Sequence, residues 1–242
     1  MRIAQPEVFG GNQPQLPGKE QKKRPVEWLA YGVYTLVALA VMLPLIKPGF
    51  IFTLDMVFTP TLGLPDTITS SYPFHALLHI LNLLVPADII QKILLFMILL
   101  LASIGMHRLV RLLSPKAGEI DWGIYLASIF FAVNPFTYSR FMAGQYSVLL
   151  GYALLPWFVR LLLRFLNRPG MASGLKLGLV AAVIGIVSIH TLGAVAITSA
   201  VATGLMIWRF RHKLISYIKF GAAALGLFIL LSSYWIVPLT LG

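Results

Sequence analysis

Residues 134–157 read NPFTYSRFMAGQYSVLLGYALLPW. One strongly apolar run leads into this stretch and a second leads out of it; between them lie the helix-breaking pair Asn134-Pro135, the cation Arg140 and a Gly-Gln pair. Because both runs are too apolar for water, the polar residues are predicted to lie where two membrane helices turn around. An arginine at such a turn is costly unless an anion or a cavity faces it, so Arg140 is a candidate functional residue.

The composition is that of a membrane protein. The 242 residues are 58% hydrophobic and 11% charged, whereas soluble domains have roughly 45–50% apolar and about 25% charged residues. The sequence therefore predicts an all-α polytopic membrane protein. It contains no cysteine, which excludes disulfides and thiolate metal sites.

Seven apolar segments are predicted to cross the membrane, although the third is short for a span of about 20 residues. They belong to a single expected transmembrane domain at 26–242. A polar segment at 1–25 is expected to be a disordered cytoplasmic tail, and a long outer loop is expected at 47–88. The predicted spans are 28–46, 89–109, 122–133, 146–163, 174–189, 192–208 and 217–237.

The net charge of +11 is explained by topology rather than by nucleic-acid binding. All but three of the 19 Lys and Arg fall in the tail or on one side of the predicted spans, as the positive-inside rule requires; the exceptions are Lys47, Lys92 and Arg140. No basic face is interleaved with aromatic residues, so no nucleic-acid partner is expected. The protein is expected in the inner (cytoplasmic) membrane, with its N-terminus inside and its C-terminus outside.

Most of the unusual polar groups are predicted to lie on the outer side, where ionisable groups at broken helices are functional candidates. Asp55, surrounded by apolar residues, is either a general base or metal ligand, or a residue that caps a turn. Arg140 is either a phosphate-binding residue, gripping through two parallel hydrogen bonds, or a residue that contacts lipid headgroups. The weaker binding candidates are His190 in a turn between two helices, Asn134 at the end of the third span, Gln145 and Lys47.

A short helix that ends near Pro86 is predicted to lie in the outer interface. His75, His79 and Asn82 share one of its faces, with leucines on the other. Two histidines at this spacing can hold one metal ion, with Asp55 as a conceivable third ligand; the alternative is a solvated polar face. The cofactor is otherwise unknown, and a divalent metal, Mg²⁺ or Mn²⁺, stays open.

Several motifs follow one another in a characteristic order. They are an aspartate after the first span, the short outer helix, the stretch from Asn134 to Gln145, GYALLPW at 151–157 and SYWIVP at 233–238. Together they resemble the GT-C superfamily, multi-span glycosyltransferases that use polyprenyl-phosphate-linked sugars. The resemblance covers 28–240 and is nearest to prokaryotic membrane proteins of the YfhO and oligosaccharyltransferase-like type.

The resemblance implies a seven-span module with its active site outside the cytoplasm, which binds membrane lipid and a polyprenyl-phosphate-linked sugar. It implies a catalytic acid in the first outer loop, which maps to Asp55, and an outer cation for the lipid phosphate, for which Arg140 is the candidate. Many relatives bind a metal through an outer acidic pair, and no Asp-x-Asp occurs here. Relatives usually continue into further spans, so the chain is expected to be either an N-terminal module or a complete small protein.

Two other functions stay open from the sequence. One is a non-catalytic membrane protein that binds or moves polyprenyl-linked lipids, or that scaffolds a larger assembly. The other is a small-solute transporter, which the lack of an evident internal repeat disfavours. In the enzyme interpretation, Asp55 would deprotonate an acceptor hydroxyl or stabilise the sugar cation, and Arg140 would neutralise the leaving phosphate.

Overall fold

The described part of the chain consists of α-helices joined by short turns and one long loop. The computed structural model describes residues 25–114 and 121–241. The predicted tail therefore lies outside the described residues, apart from Pro25, with which the first helix begins. The helices are α1 Pro25–Met42, α2 Tyr72–Asn82, α3 Ala87–Leu113, α4 Trp122–Ala132, α5 Pro135–Met142, α6 Tyr146–Asn167, α7 Met171–Val187, α8 Ile189–Arg209 and α9 Leu214–Leu241.

Five of these helices are long and apolar enough to cross a membrane, namely α1 with the turn after it, α3, α6, α8 and α9. The all-α polytopic membrane fold predicted from the sequence is thereby confirmed. The shorter apolar helix α7 has 17 residues, and α4 has 11 residues, or about 16 Å at the α-helical rise. A bilayer core is about 30 Å thick, so α4 alone does not span it, and the count of seven spans stays a prediction.

Glycines let the long helices approach each other closely. A Cβ on Gly178 of α7 would lie 2.3 Å from the carbonyl oxygen of Ala224 in α9. A Cβ on Gly105 of α3 would lie 2.5 Å from Nε1 of Trp157 in α6, an atom that donates a hydrogen bond to the Leu101 carbonyl at 3.0 Å. Small residues at such crossings are a common means of packing membrane helices.

One residue, Ser188, separates α7 from α8. Its backbone is extended (φ −155°, ψ 109°), and its side chain caps α8 by accepting a hydrogen bond from the Thr191 backbone N–H at 3.3 Å. A serine hydroxyl at this position satisfies a backbone donor that the new helix leaves open. The break therefore falls two residues earlier than predicted, and His190 lies in the first turn of α8 rather than between helices.

Helix α2 is present as predicted. Its apolar residues, however, are divided between a buried side and an exposed side. Phe74 and Leu78 are buried, whereas the apolar side chains of Leu77, Ile80 and Leu81 are exposed, as is Leu84 just after the end of the helix. That exposed side is compatible with the interfacial position expected from the sequence.

Candidate functional site

The long loop between α1 and α2 is docked onto the turn between α5 and α6. The Asp55 backbone N–H donates to the carbonyl of Ala143 at 2.9 Å. Gly144 has φ +77°, and a Cβ there would lie 2.2 Å from Oγ1 of Thr53 and 2.5 Å from the backbone nitrogen of Met56. Both the left-handed conformation and the close approach favour glycine. This turn therefore positions the loop that carries Asp55.

A glutamine links the two charged groups that the sequence singled out. Nε2 of Gln145 donates to Oδ2 of Asp55 at 3.0 Å, and NH1 of Arg140 donates to Oε1 of Gln145 at 2.7 Å. The amide presents its oxygen to the cation and its NH₂ to the anion, as their charges require. The structure thus brings these three predicted residues, 90 positions apart in the chain at the widest, into one hydrogen-bonded chain.

Arg140 is half-buried and keeps much of its hydrogen-bonding capacity. Its guanidinium carbon lies 5.5 Å from the ring centroid of Phe136, one turn earlier in α5. Its Nε atom is buried and has no hydrogen-bond partner within the described residues. A guanidinium has five donors in a fixed fork that suits phosphate. Asp55, which is joined to Arg140 through Gln145, is exposed, and Arg140 is partly exposed, so both side chains are open to a ligand.

Asn134 joins α4, α5 and α6 at the start of α5. Its Oδ1 accepts from the Thr137 N–H at 3.0 Å and so caps α5, while its Nδ2 donates to the Phe131 carbonyl in α4 at 2.8 Å and to the Tyr152 hydroxyl in α6 at 3.1 Å. The rings of Phe131 and Tyr152 stack at 4.3 Å. Asn134 therefore ties α5 to α4 and α6, and its predicted binding role stays a prediction. The Tyr152 ring was not among the predicted site residues.

Comparison with known proteins identifies the family. The family model described as "Alpha-(1->3)-arabinofuranosyltransferase, N-terminal GT-C domain" matches residues 70–242. The chain belongs to this GT-C family. No curated protein and no solved structure matches the chain. The match confirms the GT-C resemblance and a membrane glycosyltransferase-like module; its range includes Arg140 and Gln145 and begins after Asp55.

Two of the predicted site residues lie apart from this chain of hydrogen bonds in the GT-C domain. Lys47 and His190 are both exposed. Across residues 25–114 and 121–241, no hydrogen bond or ion pair connects either of them to Asp55 or Arg140. Their predicted part in lipid-phosphate binding has no contact to support it.

The polar face of α2 holds the loop between α1 and α2. A ring nitrogen of His79 is hydrogen-bonded to the carbonyl of Leu62, and Oδ1 of Asn82 accepts from the Leu62 N–H at 2.8 Å. His75 is partly buried, and desolvation lowers the pKa of its imidazole. This face is thus a docking surface for the loop rather than the solvated face considered above.

The described residues contain no group of three His, Cys, Asp or Glu that could hold a metal ion. The set of His75, His79 and Asp55 considered from the sequence is therefore not assembled. A metal cage built by protein side chains does not fit the donors at this site.

Proposed function

We propose that this GT-C domain transfers a sugar from a polyprenyl-phosphate donor to an acceptor hydroxyl on the extracytoplasmic side of the membrane. The observation that carries the proposal is the hydrogen-bonded chain of Asp55, Gln145 and Arg140, which combines a potential base with a phosphate-binding cation. The name of the matching family suggests arabinofuranose as the sugar and an α-(1→3) linkage in the product.

The proposed reaction is a single displacement. The acceptor oxygen forms a bond to the anomeric carbon while the bond from that carbon to the phosphate oxygen breaks, and the bonding electrons leave with the phosphate. Asp55 takes the acceptor proton as general base, and Arg140 stabilises the negative charge on the departing phosphate. Attack from the face opposite the phosphate inverts the anomeric configuration.

An apolar cavity gives room for the hydrocarbon tail of such a donor. It has a volume of about 520 Å³ and lies between α6, α7, α8 and α9. Helix α6 begins directly after Gln145 and reaches the cavity at Phe158, about 18 Å further along the helix. A tail whose phosphate lies at Arg140 would therefore follow α6 to the cavity. The residues that line the cavity include Phe158, Phe165, Leu177, Val195, Leu225 and Phe228.

A divalent metal stays a proposal that the donor set disfavours. Mg²⁺ is usually held by one or two carboxylates together with substrate phosphates, and Asp55 is the carboxylate in this hydrogen-bonded chain, with one oxygen held by Gln145. We therefore expect transfer to continue when a chelator such as EDTA is present. Loss of transfer in EDTA that added Mg²⁺ or Mn²⁺ restores would contradict this expectation.

The proposal is tested with the purified chain in lipid nanodiscs. The donor is a polyprenyl phosphate that carries radiolabelled arabinofuranose, and the acceptor is a short arabinofuranoside. We expect labelled product with a new α-(1→3) linkage. Binding of the donor without transfer, under all acceptors tested, would overturn the proposal and favour a lipid-binding protein.

The role of Arg140 has a separate readout in binding. Hydrogen bonds to a charged group contribute about 1.5–3 kcal/mol each, so Arg140→Gln should weaken binding of farnesyl phosphate by about tenfold or more. Lys47→Gln removes an exposed cation that, within the described residues, has no hydrogen bond or ion pair to Asp55 or Arg140, and it serves as the charge-matched control. An Arg140→Gln affinity equal to that of the wild type would remove Arg140 from the proposed site.

A further inference from the structure

Asp55 and Arg140 carry opposite charges in one site, yet they do not form an ion pair within the described residues. The side-chain amide of Gln145 lies between them and bonds to both. A direct pair would be the simpler arrangement for two such groups, so the separation calls for a physical explanation.

A direct ion pair would impair both proposed roles. A carboxylate that contacts a guanidinium is stabilised in its charged form and becomes a weaker base. The guanidinium in turn would spend its parallel donors on the carboxylate instead of on phosphate. A neutral amide satisfies one atom of each group and leaves their remaining lone pairs and donors available.

The backbone holds Gln145 in the position that this separation needs. Its own N–H donates to the carbonyl of Arg140 at 2.9 Å, and its carbonyl accepts from the Leu149 N–H at 3.0 Å. The Asp55 N–H donates to the carbonyl of Ala143, which lies two residues before Gln145. Both charged residues are therefore tied to the turn that carries the amide.

We propose that Gln145 is a positioning residue that keeps Asp55 and Arg140 one amide apart, so that the carboxylate serves the acceptor hydroxyl while the guanidinium serves the donor phosphate. The inference rests on the proposed function for the meaning of these roles. The effect of this separation on phosphate affinity can be measured by binding alone, without sugar transfer.

The test is a mutant cycle read out as affinity for farnesyl phosphate in nanodiscs. In the wild-type background, Asp55→Asn should change the affinity by less than about threefold, because Asp55 does not occupy Arg140. Gln145→Ala lets the two charges pair, and the affinity should fall by about tenfold. Adding Asp55→Asn to Gln145→Ala frees the guanidinium, and the affinity should recover.

A purely structural glutamine would not give this recovery, since a second substitution would leave the damage in place. Gln145→Glu keeps the shape of the side chain but pairs Arg140 with a new carboxylate, so the affinity should fall and Asp55→Asn should not restore it. Ser139→Ala, an exposed position on α5 whose hydroxyl bonds within its own helix, is the control that should bind normally.

Two results would overturn the inference. One is wild-type affinity in Gln145→Glu. The other is a Gln145→Ala variant whose lost affinity Asp55→Asn fails to restore although the double variant remains folded by its thermal unfolding. A complete cycle without any sugar transfer would instead refute the proposed function and leave the positioning role of Gln145 intact.

Discussion

Replacing Gly144 by alanine should push the loop between α1 and α2 off the turn between α5 and α6. The new Cβ would lie 2.2 Å from Oγ1 of Thr53 and 2.5 Å from the backbone nitrogen of Met56. The hydroxyl can rotate away, but the backbone nitrogen cannot. An ordinary contact begins at 3.4 Å, so the loop has to move by about 1 Å relative to the turn, and Asp55 moves with it.

Two costs follow from this geometry. A non-glycine residue in the left-handed region costs about 1–2 kcal/mol, which should appear as a lower free energy of unfolding. A displacement of about 1 Å at a reacting group can cost about 100-fold in rate. We therefore expect Gly144→Ala to lose about 100-fold in sugar transfer while losing only modest stability.

Gly49→Ala is the matched control. Gly49 also has a positive φ, of 103°, but a Cβ there would meet no atom within 4 Å. Both variants carry backbone strain, and only Gly144→Ala displaces the loop. Transfer rates and melting temperatures of the two variants are compared in the same nanodiscs. Transfer by Gly144→Ala within about threefold of Gly49→Ala would refute the claim that this contact positions Asp55.

Three further predictions concern stability and topology. Asn134→Ala removes the cap of α5 and the donors to α4, and should lower the free energy of unfolding by about 2 kcal/mol; a melting temperature equal to that of Ser139→Ala would contradict this. Burial lowers the pKa of His75, so the stability that the neutral imidazole contributes is present above about pH 6.5 and is lost as the pH falls below that value. His75→Gln should flatten this part of the melting-temperature profile, and an unchanged slope would count against this role. In this cysteine-free chain, Lys47→Cys should react with an impermeant maleimide in intact cells and Arg211→Cys only after permeabilisation; the reverse pattern would invert the proposed topology.

Hydropathy was sufficient to predict the fold class and most of the helices. Long apolar runs identify α3, α6, α8 and α9 because few alternatives to a membrane helix exist for them. The boundary between α7 and α8 was misplaced because the apolar run continues through it, and the decisive feature is a single hydroxyl. Ser188 and Thr191, three residues apart, carry the local signal of a helix start that hydropathy does not register.

The candidate site was only partly predictable. The charges of Asp55 and Arg140 are unusual for a membrane chain and are visible in the sequence. Their connection through Gln145 depends on how a loop 90 residues away folds back onto a turn, which no local pattern specifies. The role of His79 was missed for the same reason, since its partner is a backbone carbonyl at Leu62.

The contact between Phe136 and Arg140 could have been predicted from their spacing in the sequence. Phe136 and Arg140 are four residues apart on α5, a spacing that places two side chains on the same face of a helix. The further contacts of Phe136 with Tyr152, at 5.1 Å between ring centroids, join α5 to α6 and could not be deduced from spacing.

We propose Asp55 as the base of the sugar transfer at this site. This role is tested most directly by the single-turnover rate of Asp55→Asn with a saturating polyprenyl-phosphate-linked arabinofuranose. A general base contributes about 10²–10⁴-fold, so we predict a rate lower by that factor with farnesyl phosphate binding nearly unchanged. An Asp55→Asn variant that transfers the sugar as fast as the wild type would contradict the account.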